Sequence, residues 1–230
     1  MNKHERRHVP SSAGAIKDIV FGVEDGVVTA LGTVLGVGAA VSDVSIVIIA
    51  GVAALFAEAV SMFFGSYLSA KAEKEIQERN VVTEREEIKE KPKMEFKEMV
   101  GFYMRRGLTR IEAVKVIKRL GKEKFFKLMI EEEFGLRDGT LKNPLRVATV
   151  FWLATMVGIM AVVPFAFTTN VKLGITIAVV LSIGTLFIVG ALKSRFTKRN
   201  WVISGAEMAA IGMVAATVGF IVGSVFHVAI

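Results

Sequence analysis

The sequence predicts an all-α membrane protein in which five transmembrane helices are interrupted, between helices 2 and 3, by a polar helical insert. Two observations support this fold class. Hydrophobic residues make up 53% of the 230 residues, which is more than an ordinary soluble domain contains. About two thirds of the charged residues lie between residues 71 and 142. One polar segment therefore separates two apolar ones.

The composition also excludes several classes of function. The chain has no cysteine and three histidines, so disulfide scaffolds and thiolate metal sites are excluded, and the usual nucleophile–base pairs of an enzyme are missing. The net charge is +7, but basic residues either alternate with acids in the polar segment or flank apolar runs. The positive-inside rule accounts for the latter. We therefore expect neither an enzyme nor a nucleic-acid partner.

Residues 1–12 are polar and basic and form a predicted cytoplasmic tail, and residues 13–40 form the first span. Gly22/Gly26 and Gly32/Gly36 have the four-residue spacing that lets membrane helices approach closely. Glu24 and Asp25 stand directly before an uncharged run, residues 26–42. Carboxylates at the membrane are costly and tend to mark ion paths, although acids at a helix start can also simply complement the helix dipole.

The second span is predicted over residues 44–70, and it must return beside the first because only a tight polar turn separates them. Glu58 and Met62 lie four residues apart in this span, so both side chains are on one helical face. A carboxylate one turn from a thioether is a plausible site for a transition-metal ion. A methionine at this spacing is otherwise usually core filler.

Residues 71–144 form the predicted insert. Its first helix continues from the second span and stops near Pro92, which cannot extend it. Thr109 and Glu112 have the spacing of a capping box, and the helix that they open is closed by Gly121. The last helix is closed by Gly135. We therefore expect a small domain of helices.

The insert carries paired side chains that share helix faces. The pairs are Glu84 with Glu87, Glu95 with Glu98, and Met129 with Glu133. Packed together, these faces would bind divalent cations through oxygen, and Met129 would favour softer ions. The alternative is a set of solvated helices with ordinary Glu–Lys pairs. The first reading makes this a cytoplasmic helical metal-binding insert.

Residues 145–230 contain the third, fourth and fifth spans, over residues 145–167, 173–192 and 201–230. Basic residues concentrate in the tail, in the insert and after the fourth span, so the N-terminus and the insert are predicted to be cytoplasmic. Glu207 lies near the start of the fifth span. Like Glu24, it is a candidate proton carrier or a group supporting the ion path, or else an ordinary acid at a helix start.

The sequence resembles the vacuolar iron transporter family, as a prokaryotic-type member. The resemblance rests on DIVFGVEDGVVTALGTVLGVGAA in the first span, AEAVSMFFGSYLSAKAEKE in the second and the Glu-rich insert ending in LMIEEEFGL. It covers essentially the whole chain. It implies a homodimer in the membrane lipids that exports Fe²⁺ from the cytosol in exchange for protons. It also implies tolerance of Mn²⁺ and of other divalent ions such as Zn²⁺, Co²⁺ or Ni²⁺.

The resemblance also implies site residues. Asp25 and Met62 match the transport site, at which we place Glu58 as well. In the insert the matching positions are Glu84, Glu87, Glu95, Glu98, Met129 and Glu133. Two positions depart from the family pattern. Ala54 stands where a glutamate is expected, so that Glu58 is its candidate replacement, and Ile130 stands where a second methionine is expected.

Two functions follow from these features. The first is a proton-coupled exporter of divalent iron, in the cell membrane of a prokaryote or the vacuolar membrane of a eukaryote. The alternative is a membrane-anchored metal-binding or sensing module that does not transport. The alternative gives Asp25, Glu58 and Glu207 no reason to be near the membrane.

Overall fold

A computed structural model describes residues 12–136 and 143–226, and in these ranges the chain is helical apart from short connections. The predicted tail up to residue 11, residues 137–142 of the predicted insert and the last four residues of the predicted fifth span lie outside the described residues. The α-helices are α1 (Ser12–Ala40), α2 (Val44–Glu90), α3 (Pro92–Arg105), α4 (Arg110–Ile117), α5 (Lys122–Phe134), α6 (Pro144–Thr155), α7 (Val171–Thr197) and α8 (Trp201–Val225).

Within the described residues, five helical segments are long and apolar enough to cross a membrane, as the sequence predicts. They are α1, the apolar first half of α2, α6 with the 3-10 turn that follows it, α7 and α8. The helix α2 has 47 residues and ends at Glu90, two residues before Pro92. The prediction that this helix continues past its apolar part and stops near the proline is therefore confirmed.

The third span is not one α-helix. After Thr155 the chain changes to two 3-10 segments, Met156–Ala161 and Val163–Phe167, so the prediction of a single helix over residues 145–167 is wrong beyond Thr155. Two features mark this stretch. Pro164 lacks a backbone donor and opens the second segment. Gly158 is pressed so closely against the carbonyl oxygen of Gly26 that a side chain there would collide with it.

Close glycine contacts hold α1 at the centre of the membrane helices. It packs against α7, α8 and the first 3-10 segment. A side-chain carbon at Gly219 or Gly223 would collide with the carbonyl oxygens of Gly32 and Gly36, respectively. The glycine pairs of the first and fifth spans are thus two halves of one helix crossing, of the kind that small residues allow in membranes.

The chain forms two compact units. The first, here called the membrane unit, holds the residues up to Leu68 and from Leu145 onwards, and the second, the polar unit, is Ser69–Pro144. The core of the membrane unit is apolar and includes Leu31, Leu55 and Phe165, each at most 1% exposed.

The polar unit has an apolar core of its own, with Met99, Ala113, Ile117 and Met129 at its centre. Two of its helix limits follow the predicted signals. The Thr109–Glu112 capping box is present in both directions at the start of α4, and α5 ends at Gly135, whose φ of 68° is in the left-handed region. The prediction that Gly121 closes α4 is wrong, because α4 ends at Ile117 and Gly121 instead precedes α5 as its N-cap.

Candidate functional site

Asp25 lies on α1 beside a close crossing with the third span. Gly26, the next residue, is packed against the backbone of Thr155, with no room for a side chain. Asp25 itself is half-buried, and its Oδ2 atom is buried without a hydrogen-bond partner. A buried carboxylate oxygen with no donor is costly, so a proton or a cation would stabilise it.

Glu58 lies on α2, half-buried between Leu55 and Ala59, which are both fully buried. Its carboxyl group is close enough to that of Asp25 to interact with it directly. The structure therefore brings together two acids that are 33 positions apart in the sequence. Two neighbouring carboxylates repel each other, and a cation or a shared proton between them would remove that repulsion.

Met62 lies one turn beyond Glu58 on α2 and is half-buried as well. Side chains four residues apart on a helix are neighbours, with Cβ atoms about 5–6 Å apart. The Ser66 hydroxyl donates to the carbonyl oxygen of Met62 at 2.6 Å. Ala54, where the family pattern has a glutamate, is one turn on the other side of Glu58. In this chain it is Glu58 that reaches Asp25.

Glu24 and Glu207 are the two other predicted acids of the membrane unit. Glu24 is half-buried, as Asp25 is. Glu207, near the start of α8, forms an ion pair with Arg199, whose two terminal nitrogens are 3.3 and 3.4 Å from its carboxylate oxygens. The next residue, Met208, is the one that is buried against Val23 and Val27 of α1. The ion pair gives Glu207 a structural partner, and its role in an ion path stays a prediction.

Five carboxylates of the polar unit converge, and we call them the acidic cluster: Glu84, Glu87, Glu95, Glu98 and Glu133. Glu84 is fully buried, and neither of its oxygens has a hydrogen-bond partner. Burial, followed by the nearby Glu133 carboxyl and then by Glu95 and Glu87, raises the pKa of Glu84 to about 8. This side chain therefore carries its proton at neutral pH.

Glu95 is the second buried acid of the cluster, at 4% exposure. Burial raises its pKa, and the charges of Glu98, Glu87 and Glu133 raise it further, while the neighbouring Glu84 carboxyl lowers it. Nevertheless, within residues 12–136 and 143–226 no three acidic or histidine side chains are already arranged around one ion. The side chains would have to close on a metal as it binds.

Met129 and Thr155 show two limits of reasoning from spacing. The sequence pairs Met129 with Glu133, and the structure buries Met129 completely in the apolar core of the polar unit. Thr155 is also fully buried, with its hydroxyl donating to the Phe151 carbonyl oxygen at 2.9 Å. The backbone of Thr155 packs against Gly26, the residue that follows Asp25. No sequence signal marks Thr155 for this position, because the contact joins two distant spans.

Comparisons with known proteins agree with this architecture. The sequence profile of the VIT family matches residues 16–224. The vacuolar iron transporter of Toxoplasma gondii is 34% identical, over 99% of this chain and 79% of the relative. Vacuolar iron transporter 1 of Arabidopsis thaliana is 29% identical, over 98% of this chain and 91% of the relative, and that of Eucalyptus grandis is 29% identical over 96% and 89%. This multi-pass membrane protein therefore belongs to the VIT family.

Proposed function

We propose that the protein transports divalent iron across its membrane in exchange for protons, and that Asp25, Glu58 and Met62 form the transport site. The observation that carries the proposal is the contact between the Asp25 and Glu58 carboxyls inside the membrane unit. The names of the relatives, which are vacuolar iron transporters, support iron as the cargo.

The chemistry of the pair suits ion exchange. Two adjacent carboxylates in an apolar surrounding need positive charge, which either a proton or a divalent cation supplies. Because both compete for the same oxygens, entry of a proton favours release of the metal. Met62 adds a soft sulfur, which favours Fe²⁺ over Mg²⁺ and Ca²⁺.

The acidic cluster is proposed to collect metal on the cytosolic side. Glu84 and Glu95 are buried acids with raised pKa values, so a cation that binds them displaces protons and gains the buried oxygens as ligands. Uptake by the cluster would therefore weaken as the pH falls. Met129 is proposed to contribute only if the apolar core opens.

We further propose a homodimer in the membrane. The outer face of α2 presents Phe56, Val60, Phe64 and Leu68, each at least 50% exposed. This face adjoins the turn that carries Glu58 and Met62. A second copy covering it would enclose the transport site, whereas lipid would cover the remaining apolar faces.

Metal flux into proteoliposomes under an imposed pH gradient tests the proposal. We expect Fe²⁺ uptake, measured anaerobically by metal analysis of the vesicles, to depend on the gradient and to fall at least tenfold in Asp25→Asn and Glu58→Gln. The matched control is Glu75→Gln, on the same helix, whose carboxylate is 63% exposed beside Lys71. Competition by Mn²⁺, Zn²⁺, Co²⁺ and Ni²⁺ measures the range of ions.

The outcomes separate the two candidate functions. Flux that is unchanged in both acid variants would reject the site. Metal binding by the purified protein without flux, under any gradient, would instead support a membrane-anchored metal-binding or sensing module. Flux that does not respond to the gradient would reject proton exchange while leaving metal transport in place.

A further inference from the structure

The hairpin between α7 and α8 contains a groove that the transport site does not use. It has a volume of about 670 Å³. One wall is apolar and is formed by Phe187, Ile188 and Leu192 of α7 together with Trp201 of α8. Ile188, Leu192 and Trp201 are each at least half exposed. An exposed apolar wall on a membrane helix is a surface for an acyl chain.

The other end of the groove is basic. Arg195, Lys198 and Arg199 line it. Arg199 is partly neutralised by Glu207 at 3.3 Å. Among the salt bridges of the described residues, none involves Arg195 or Lys198. Two guanidinium groups and one ammonium group therefore face a single carboxylate, which leaves the groove with excess positive charge.

The turn that carries Lys198 and Arg199 has a defined backbone. Lys198 ends α7 in the left-handed region, with φ 54°. Asn200 caps α8 by accepting from the backbone N–H of Val202 at 2.8 Å. Gly190 lets the start of α8 approach so closely that a side chain at this position would collide with the Ser204 carbonyl oxygen. The Trp201 ring packs edge-on against Phe187, with 6.1 Å between centroids.

We propose that this groove binds an anionic phospholipid of the surrounding membrane. The phosphate would lie among Arg195, Lys198 and Arg199, one acyl chain would follow the apolar wall of α7, and Trp201 would lie at the level of the headgroups. Basic pockets between membrane helices are typical sites for anionic lipid headgroups, and tryptophan is enriched at that depth. The inference is independent of the proposed transport function.

Native mass spectrometry of the full-length protein tests the proposal. The protein is exchanged into detergent with phosphatidylglycerol or with phosphatidylcholine of the same acyl chains. We expect the wild type to retain phosphatidylglycerol at least tenfold more strongly, and Arg195→Gln/Lys198→Gln to lower this preference to less than twofold. Lys172→Gln, which removes an exposed cation at the other end of α7, is the control and should keep the full preference.

Three results would overturn the proposal. They are equal retention of the two lipids, an unchanged preference in the double variant, and displacement of the lipid by equimolar glycerol 3-phosphate, which would identify the ligand as a soluble anion. Each variant is compared only after it elutes and melts like the wild type. If the double variant does not, Lys198→Gln, which changes a single exposed side chain in the turn, provides the same comparison.

Discussion

Glu84→Gln tests the acidic cluster most directly, because it replaces the buried acid by a neutral group of nearly the same shape. Glu84 has a pKa of about 8 in the folded protein against an ordinary value of 4.5. Between these two values the folded state holds a proton that the unfolded state has lost. The polar unit without metal must therefore become less stable as the pH rises from about 4.5 to about 8.

The magnitude follows from the same two values. Each pKa unit corresponds to about 1.4 kcal/mol, so the difference from 4.5 to about 8 sets an upper limit of about 5 kcal/mol. Side-chain relaxation and water entry reduce such costs in real proteins, and we expect a loss of about 1–3 kcal/mol. Glu84→Gln cannot ionise, so at pH 8 it should be more stable than the wild type by that amount, and at pH 5 equal to it.

Hydrogen exchange of α3 and α5 in the full-length, metal-free protein measures this difference after correction for the intrinsic exchange rate at each pH. Glu86→Gln is the matched control, because Glu86 is exposed on the same helix, and its protection should follow the wild type. Identical pH profiles for wild type and Glu84→Gln would show that the Glu84 carboxyl is not held in a buried acidic surrounding, and the argument for the cluster would be refuted.

Three further predictions concern packing, capping and metal. Gly26→Ala should destabilise the membrane unit by about 1–3 kcal/mol, because the new methyl group collides with the Thr155 backbone. The measurement is the melting temperature in detergent, which should fall. Gly184→Ala, at a position with open space around it, should have little effect. Thr109→Ala removes one half of the capping box and should cost about 1 kcal/mol, measured as lost hydrogen-exchange protection of α4, and a result below a tenth of that would contradict the cap. Mn²⁺ should protect the polar unit at pH 7.5, with an affinity at least tenfold lower at pH 5.5 by calorimetry, because protons compete for the acidic cluster; an affinity that is independent of pH would contradict this.

The sequence by itself determined the secondary structure and most helix limits. Apolar runs of sufficient length, Pro92, the Thr109–Glu112 pair and Gly135 act through local rules, since helix propensity, capping and chain length depend on neighbouring residues. The same holds for the pairing of Glu58 with Met62, because residues four apart on a helix always share a face.

Tertiary structure decided what these local rules leave open. Whether the Glu58 carboxyl reaches Asp25 depends on how α1 and α2 pack, which residue spacing within one helix does not determine. The third span contacts Gly26 closely where it changes to 3-10 geometry after Thr155. Such contacts join residues far apart in the chain.

Burial separates residues that look alike in the sequence. Glu84 and Glu86 are two positions apart in the same acidic helix, but Glu84 is fully buried and Glu86 is exposed. Glycine spacing predicted close helix approach, and only the packed structure showed that Gly32/Gly36 meet Gly219/Gly223. The sequence determined which groups can bind a cation. The packing of the helices decided which of these groups are buried away from water, and a buried carboxylate is stabilised by a cation.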